Sequence, residues 1–151
     1  MIQLADEFFE TKNDPEQISI DRETMLRLKE IHPSTMEEKT TSDGPVAWIL
    51  VIPTTNAVMR KFLAKKINER GLLDGTSTGG TYEAVYLCSA LVLPEFRRRG
   101  LAKRLAVKAI RTIRKKHPIK HLFCWAFSDE GKGLAKSIAA EVKLPLHGRK
   151  P

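Results

Sequence analysis

The chain has 151 residues, 42% of them hydrophobic, with 26 Lys/Arg against 18 Asp/Glu for a net charge of +8, which fits a single domain with one core and argues against a second. Its longest apolar run, 46–53, is under half of the ~20 residues that a membrane-spanning helix needs, and Asp6, Glu7 and Glu10 stand where a signal peptide would be basic and then apolar, so membrane insertion and export are not expected. Cys88 and Cys124 both lie in apolar stretches and read as buried free thiols, which makes the cytoplasm the expected compartment and speaks against a disulfide framework or a metal site.

Charge divides the chain. Residues 1–45 hold eleven acids and five bases, whereas residues 46–151 hold seven acids and twenty-one bases. Ten of those bases fall in 97–116 with no acid among them, a field that attracts phosphate or that simply solvates a helix face.

In chain order, a first helix is expected around 2–9, and a second over 20–31, where Met25, Leu28 and Ile31 recur at helical spacing behind Asp21 as N-cap and Pro33 stops the pattern. Residues 1–45 therefore read as an acidic, helical amino-terminal part. The β-branched and aromatic run 46–52 predicts a buried strand closed by Pro53. A helix over 56–70, capped by Thr55 or Asn56 and ended by Gly71 in the left-handed position, follows from the shared face of Met59, Phe62, Leu63 and Ile67. Three glycines and four Ser/Thr mark 74–81 as a loop, which lacks the Gly-Lys-Ser/Thr ending of a nucleotide-binding P-loop.

A long strand is predicted over 82–93, ended by Pro94. Directly after it, Arg97-Arg98-Arg99-Gly100-Leu101-Ala102 runs into an amphipathic helix with Leu101, Leu105, Ala109, Ile110 and Ile113 inward and Lys103, Arg104, Lys108 and Arg111 outward. Pro118 breaks that helix, 121–127 is a second apolar strand, and 133–142 is an alanine-rich helix. The order strand, helix, strand, helix implies a parallel crossover in an α/β half.

The glycine turn offers an anion the unpaired N–H groups and positive dipole end of a helix, and Gly100 has no side chain to hold a ligand off. Such turns also occur merely to make a tight corner. The run 90–102 is similar to the acetyl-CoA signature of the GCN5-related N-acetyltransferase (GNAT) family, a strand ending in Val-x-Pro and then Arg/Gln-x-x-Gly-x-Gly/Ala opening a helix. The matching positions are Val92, Pro94, Arg97, Gly100 and Ala102, and residues 82–142 follow the family's element order.

This resemblance implies a mixed α/β (α+β) GNAT-like fold over 1–151, with an extended helical amino terminus, an inserted helix before the long central strand, and a shortened carboxy terminus. Its acetyl-CoA-binding core would span about 82–142. The backbone of Ala90, Leu91 and Val92 would hold pantetheine like an added strand, and Arg97 with the turn of Arg98, Arg99, Gly100, Leu101 and Ala102 would hold the pyrophosphate. The cofactor would enter a gap between the long strand and 121–127. Ser128 stands where many members have Asn, and would also border the cofactor.

The family's chemistry is direct attack of an amine on the thioester in a ternary complex, which needs a neutral amine and oxyanion donors. Glu83, the only acid between Asp74 and Glu95, is the candidate general base, with an edge carboxylate of no role as the alternative. The tyrosine that often protonates the CoA sulfur is missing from 129–142. Ser137 is a candidate acid or a plain helix serine, and a CoA thiol with a pKa of about 8.5 can leave as thiolate without help. His32, His117, His121 and His147 show no metal-ligand spacing, so no metal is expected. Trp48 and Trp125 read as core.

The expectation is thus an N-acetyltransferase acting on a primary amine, a monomer or homodimer with acetyl-CoA as co-substrate and no membrane partner. The alternatives are a catalytically silent CoA-binding domain and a nucleic-acid-binding module using 97–116. Nucleic acid is disfavoured because no aromatics interleave with the bases and the acidic first third would repel a polyanion. Lys108, Arg111, Arg114 and Lys115 are expected to be solvent-facing charges with no ligand.

Overall fold

The computed structural model describes residues 21–126 and 128–150. Five strands, β1 (Met36–Thr41), β2 (Gly44–Thr54), β3 (Ala84–Val92), β4 (His121–Cys124) and β5 (Leu146–Gly148), form one mixed sheet in the order β1-β2-β3-β4-β5, antiparallel from β1 to β3 and parallel from β3 to β5. The helix expected at 2–9 lies outside the described residues.

Helix α1 spans Arg22–Ile31. Asp21 caps it, one carboxylate oxygen accepting from the Thr24 N–H at 2.7 Å, and Thr24, Met25, Leu28 and Ile31 are buried. A short 3-10 turn at Pro33–Thr35 then delivers the chain into strand β1, Met36–Thr41. The helical reading of 1–45 fails here. Met36 to Thr41 carry no apolar periodicity because β1 is a half-exposed edge strand, held by its antiparallel register with β2 from Met36↔Leu50 to Thr41↔Gly44.

Strand β2, Gly44–Thr54, is buried from Val46 onward. It runs through Pro53 rather than stopping there, since β1 reaches only as far as Leu50 and a proline without N–H is tolerated where β2 has β3 alone as neighbour. Thr55 caps helix α2, Asn56–Leu63, by accepting from the Val58 N–H at 3.3 Å.

The single helix expected over 56–70 is two. Lys65 takes a left-handed φ of 62°, with the Lys65 N–H bonded to the Phe62 carbonyl and the Lys66 N–H to the Lys61 carbonyl, which closes α2. Asn68 then starts helix α3, Glu69–Asp74, by accepting from the Gly71 N–H at 2.8 Å. Gly71 is therefore inside a helix rather than ending one; Asn68 restarts the helix because its side chain satisfies an orphan donor.

Strand β3, Ala84–Val92, a 3-10 turn at Pro94–Phe96 and helix α4, Leu101–Arg114, follow. The buried face of α4 is Ala106, Val107, Ala109, Ile110 and Ile113, while Leu101 and Leu105 are half-buried. Strand β4 is only His121–Cys124, shorter than the expected 121–127. Ser128 caps helix α5, Asp129–Val142, through a 3.0 Å bond from the Gly131 N–H, so the helix begins ahead of the expected 133. A short strand β5, Leu146–Gly148, still fits after it, parallel to β4.

Aromatic packing locks α2 to the sheet. The Phe62 ring stands edge-on to Tyr86 at 4.8 Å, Phe123 at 5.8 Å and Trp125 at 6.2 Å, pairs of the kind worth about 0.5–1.5 kcal/mol beyond their burial.

Candidate functional site

β3 outlasts its parallel neighbour. The two strands pair only from Ala84↔His121 to Leu87↔Cys124, whereas β3 continues against β2 to Val92. From Cys88 to Val92 the edge facing away from β2 thus has no strand partner among the described residues, and its backbone groups are open to a ligand. The divergence coincides with a β-bulge: Leu50 faces Ser89 and Val51 faces Leu87, which leaves Cys88 as the extra residue. A bulge bends and twists its strand, and here it turns β3 away where β4 ends.

A cavity of about 890 Å³ occupies the gap. Its walls are the splayed β3 residues Cys88 to Val92, the first turns of α4 with Leu101, Ala102 and Ala106, and the amino-terminal half of α5 with Glu130, Gly131, Leu134, Ala135 and Ile138. Small residues at Ala102, Ala106 and Ala135 keep it open.

One end of the cavity is an anion cradle. The first intrahelical bond of α4 runs from the Arg104 N–H to the Gly100 carbonyl, so the N–H groups of Leu101 to Lys103 have no acceptor within the helix. Gly100 caps α4 at φ 72° with no side-chain cap bond, and Arg98 also sits left-handed at φ 65°. A non-glycine residue held in that region costs about 1–2 kcal/mol, and such outliers concentrate at ligand clamps. Arg97 and Arg98 line the cavity, Arg97 Nε donating to the Val92 carbonyl at 3.1 Å. Arg99 points elsewhere, its guanidinium 5.1 Å from the Phe96 ring centre.

Glu69, at the start of α3, also lines the cavity and is only 5% exposed. Its carboxylate accepts a short hydrogen bond from the Tyr86 hydroxyl and a 3.6 Å contact from the Cys88 thiol. Burial first, then the nearby Cys88 and Glu69, push the Tyr86 phenol well above its ordinary pKa. Burial first, then the Glu69 carboxylate, does the same for Cys88, so both stay protonated at neutral pH.

Of the residues read from sequence, Ala90, Leu91, Val92, Arg97, Arg98, Leu101, Ala102 and Ser128 come together around this cavity, and Gly100 and Arg99 complete the turn without lining it. Glu83 is not among the lining residues. It precedes β3 at the opposite end, beside the Ala84↔His121 pair, and its carboxylate accepts from Asn56 Nδ2 at 3.2 Å. Cys88 is five positions further along the chain, roughly 16 Å at ~3.3 Å per residue. Ser137 lies on α5 among residues that border the cavity but does not line it.

Two features escaped the sequence reading. Glu69 was hidden in what looked like one continuous helix; Asn68 as a cap residue is the signal that would have exposed it. Trp125 is also more than core: its ring and that of Phe62 each hold the Arg149 guanidinium at 4.5 Å, a double cation–π stack beside the cavity wall. Among the described residues no group of three or more His, Cys, Asp or Glu is placed to hold a metal ion, and no helix is long and apolar enough to cross a membrane.

A family model described as the acetyltransferase (GNAT) family matches residues 4–135. No curated protein and no solved structure matches the chain significantly.

Proposed function

Because the chain belongs to the acetyltransferase (GNAT) family, we propose that its one domain, residues 1–151, transfers an acetyl group from acetyl-CoA to a primary amine by direct attack in a ternary complex. The observation that carries this reading is the unpartnered edge of β3 from Cys88 to Val92, which leads straight into the amino terminus of α4. Pantetheine hydrogen-bonds the open backbone of Ala90 to Val92. Its pyrophosphate sits on the turn from Arg98 to Ala102, facing helix N–H groups and Arg97. That arrangement puts the thioester toward Cys88 and Glu69.

Glu69 takes the role of proton acceptor that the sequence reading gave to Glu83. A buried carboxylate on the cavity wall draws the ammonium form of the acceptor, takes its proton, and leaves a neutral amine to attack the thioester carbonyl. Tyr86 orients that carboxylate by donating to it. Backbone N–H groups of the splayed strand stabilise the oxyanion, the C–S bond breaks, the thiolate takes the proton held on Glu69 or one from solvent, and the nitrogen, still carrying one proton too many after its attack, gives that proton to solvent to leave the neutral amide. Cys88 acts as a neutral wall because its thiol stays protonated and so is a poor nucleophile, which favours direct attack over an acyl-cysteine intermediate. A reducing, cytoplasmic setting suits the two free thiols.

Melting scans with CoA and acetyl-CoA, followed by a thiol-release screen of acetyl-CoA against panels of amines, peptides and aminoglycosides, test the proposal. A ligand at a hundredfold excess over Kd adds about 2.7 kcal/mol to the native state, enough for a clear rise in Tm. A shift without thiol release from any acceptor would make the chain a silent CoA-binding domain, and the absence of any shift would remove the cofactor from the reading altogether.

A further inference from the structure

The outer face of α4 carries a second concavity that acetyl transfer does not use. Arg104, Lys108, Arg111 and Lys115 are exposed and recur four, three and four residues apart, which sets them in one stripe along the helix. At 1.5 Å per residue the stripe is ~16 Å long. Lys103, Val107 and Thr112 of α4 and Glu141 of α5 complete a groove of about 650 Å³ along it. The anion cradle lies at the amino terminus of the helix, where the groove only begins, and none of the groove residues lines the larger cavity.

Charge in this groove is unbalanced. Its one carboxylate, Glu141, pairs with Lys103 at 3.9 Å, and the only other ion pair among the described residues, Arg70 with Asp74, lies elsewhere. Among the described residues the four stripe cations therefore stand along a single helix without a paired carboxylate, an arrangement in which like charges at i,i+4 repel. A bound polyanion relieves that repulsion. We propose that this groove binds the phosphodiester backbone of a double-stranded nucleic acid.

Three observations select that ligand. A straight row of four cations matches a regularly spaced row of phosphates better than one small anion does. No aromatic ring lines the groove, so bases have nothing to stack on and a single strand gains little, whereas a duplex presents its phosphates without needing its bases read. The acids of 21–43 lie on α1, β1 and the turns that flank them, and none lines the groove. The absence of interleaved aromatics thus argues against strand stacking, not against backbone contact, and the proposal departs from the sequence-based expectation for Lys108, Arg111 and Lys115, which gave them no ligand.

Counterion release makes the proposal quantitative. Four neutralised phosphates give a slope of log K against log salt of about −3.6, an affinity loss of about 150-fold between 50 and 200 mM salt. The test is fluorescence anisotropy of the full chain with short labelled DNA and RNA duplexes and with a labelled polyglutamate peptide, on the parent and on K108Q/R111Q/K115Q. Glutamine is a good helix former and the three sites are exposed, so the variant should keep its Tm. Its salt dependence should shrink to about fourfold over the same range, with at least tenfold weaker duplex binding at the lower salt. If the triple variant fails to fold, R111Q alone should lower the slope by about 0.9. Binding of either duplex with these changes supports the proposal, and the DNA and RNA arms say which polymer is preferred. Duplex binding that is absent at low salt, unaltered in the variants, or matched by polyglutamate overturns it, the last in favour of an acidic protein partner. None of these readouts depends on acetyl transfer.

Discussion

Tyr86 in the central strand donates its phenolic hydrogen bond to the carboxylate of Glu69 on α3; both side chains are buried, and Glu69 lines the cavity. The bond joins two residues seventeen positions apart in the chain and fixes an acid where β3 leaves β4. For Glu69→Gln we expect turnover to fall by roughly 100-fold or more, in the range of general acid–base contributions. The loss should be greatest at acidic pH, where fewer acceptor amines are already neutral, and CoA affinity should change little. Glu83→Gln should leave rates within about twofold of the parent, since Glu83 does not line the cavity and its backbone stands about 16 Å from Cys88 along the strand. Steady-state rates across pH for both variants, with CoA titrations, check the assignment; equal losses in the two would return Glu83 to contention.

Gly100 presents open space rather than crowding: a Cβ built there meets nothing within 4 Å, but φ is +72°. Gly100→Ala should therefore lower stability by about 1 kcal/mol from backbone strain alone and leave CoA binding measurable. Gly100→Glu carries the same strain and adds a negative charge beside the helix N-terminus, where it competes with a ligand phosphate. Chemical denaturation and CoA titration of the two variants together separate strain from charge. Equal CoA affinity in the two would move the pyrophosphate away from this turn.

The three adjacent arginines are not equivalent. Arg97 and Arg98 line the cavity, while Arg99 lies over Phe96. Replacing Arg97 and Arg98 with glutamine should weaken CoA binding by tenfold or more, because hydrogen bonds to a charged partner contribute about 1.5–3 kcal/mol each. Arg99→Gln should cost less than about threefold, the scale of an exposed charge contact. Calorimetric titration with CoA distinguishes this split from a uniform loss across the three, which would indicate only a general positive field.

His32 links stability to pH. It is buried, and its Nδ1 accepts from the Ser34 N–H at 3.0 Å. Burial first, then electrostatic interaction with His117 and Lys116, holds its pKa below the ordinary 6.5. The unfolded chain therefore takes up the proton more readily than the folded one. Stability from this site is full above pH ~6.5 and is lost as pH falls from there through the depressed folded value. Asp21, whose pKa is lowered chiefly by its hydrogen bond from the Thr24 N–H, contributes in the same direction only nearer the carboxylate range. Melting temperature should thus drop between about pH 7.5 and pH 5.5 in the parent and drop less in His32→Gln; an unchanged pH slope in that variant would assign the effect to another group.

What could be read directly from the sequence was whatever a short stretch of chain builds by itself. The caps at Asp21 and Thr55, the buried run of β2 and the inward face of α4 each depend on neighbours within a few residues. So does the anion cradle, since Val92 to Ala102 are contiguous and the strand, the turn and the helix N-terminus that make it follow one another along the chain. Family membership was legible for the same reason.

Other features belong to pairs of residues far apart in the chain, and only the tertiary structure decided them. β1 exists because apolar β2 lies beside it, not because Met36 to Thr41 favour a strand. The bulge at Cys88 appears only in the mismatch between β2 and β3, and the open edge of β3 only in the early end of β4. Glu69 is separated in sequence from Tyr86 and Cys88, and Arg149 from Phe62, by intervals that no local pattern spans. Propensity, capping and side-chain period act over one turn or one strand, whereas a carboxylate's place in a cavity is set by where separate elements come to rest against one another in the packed core.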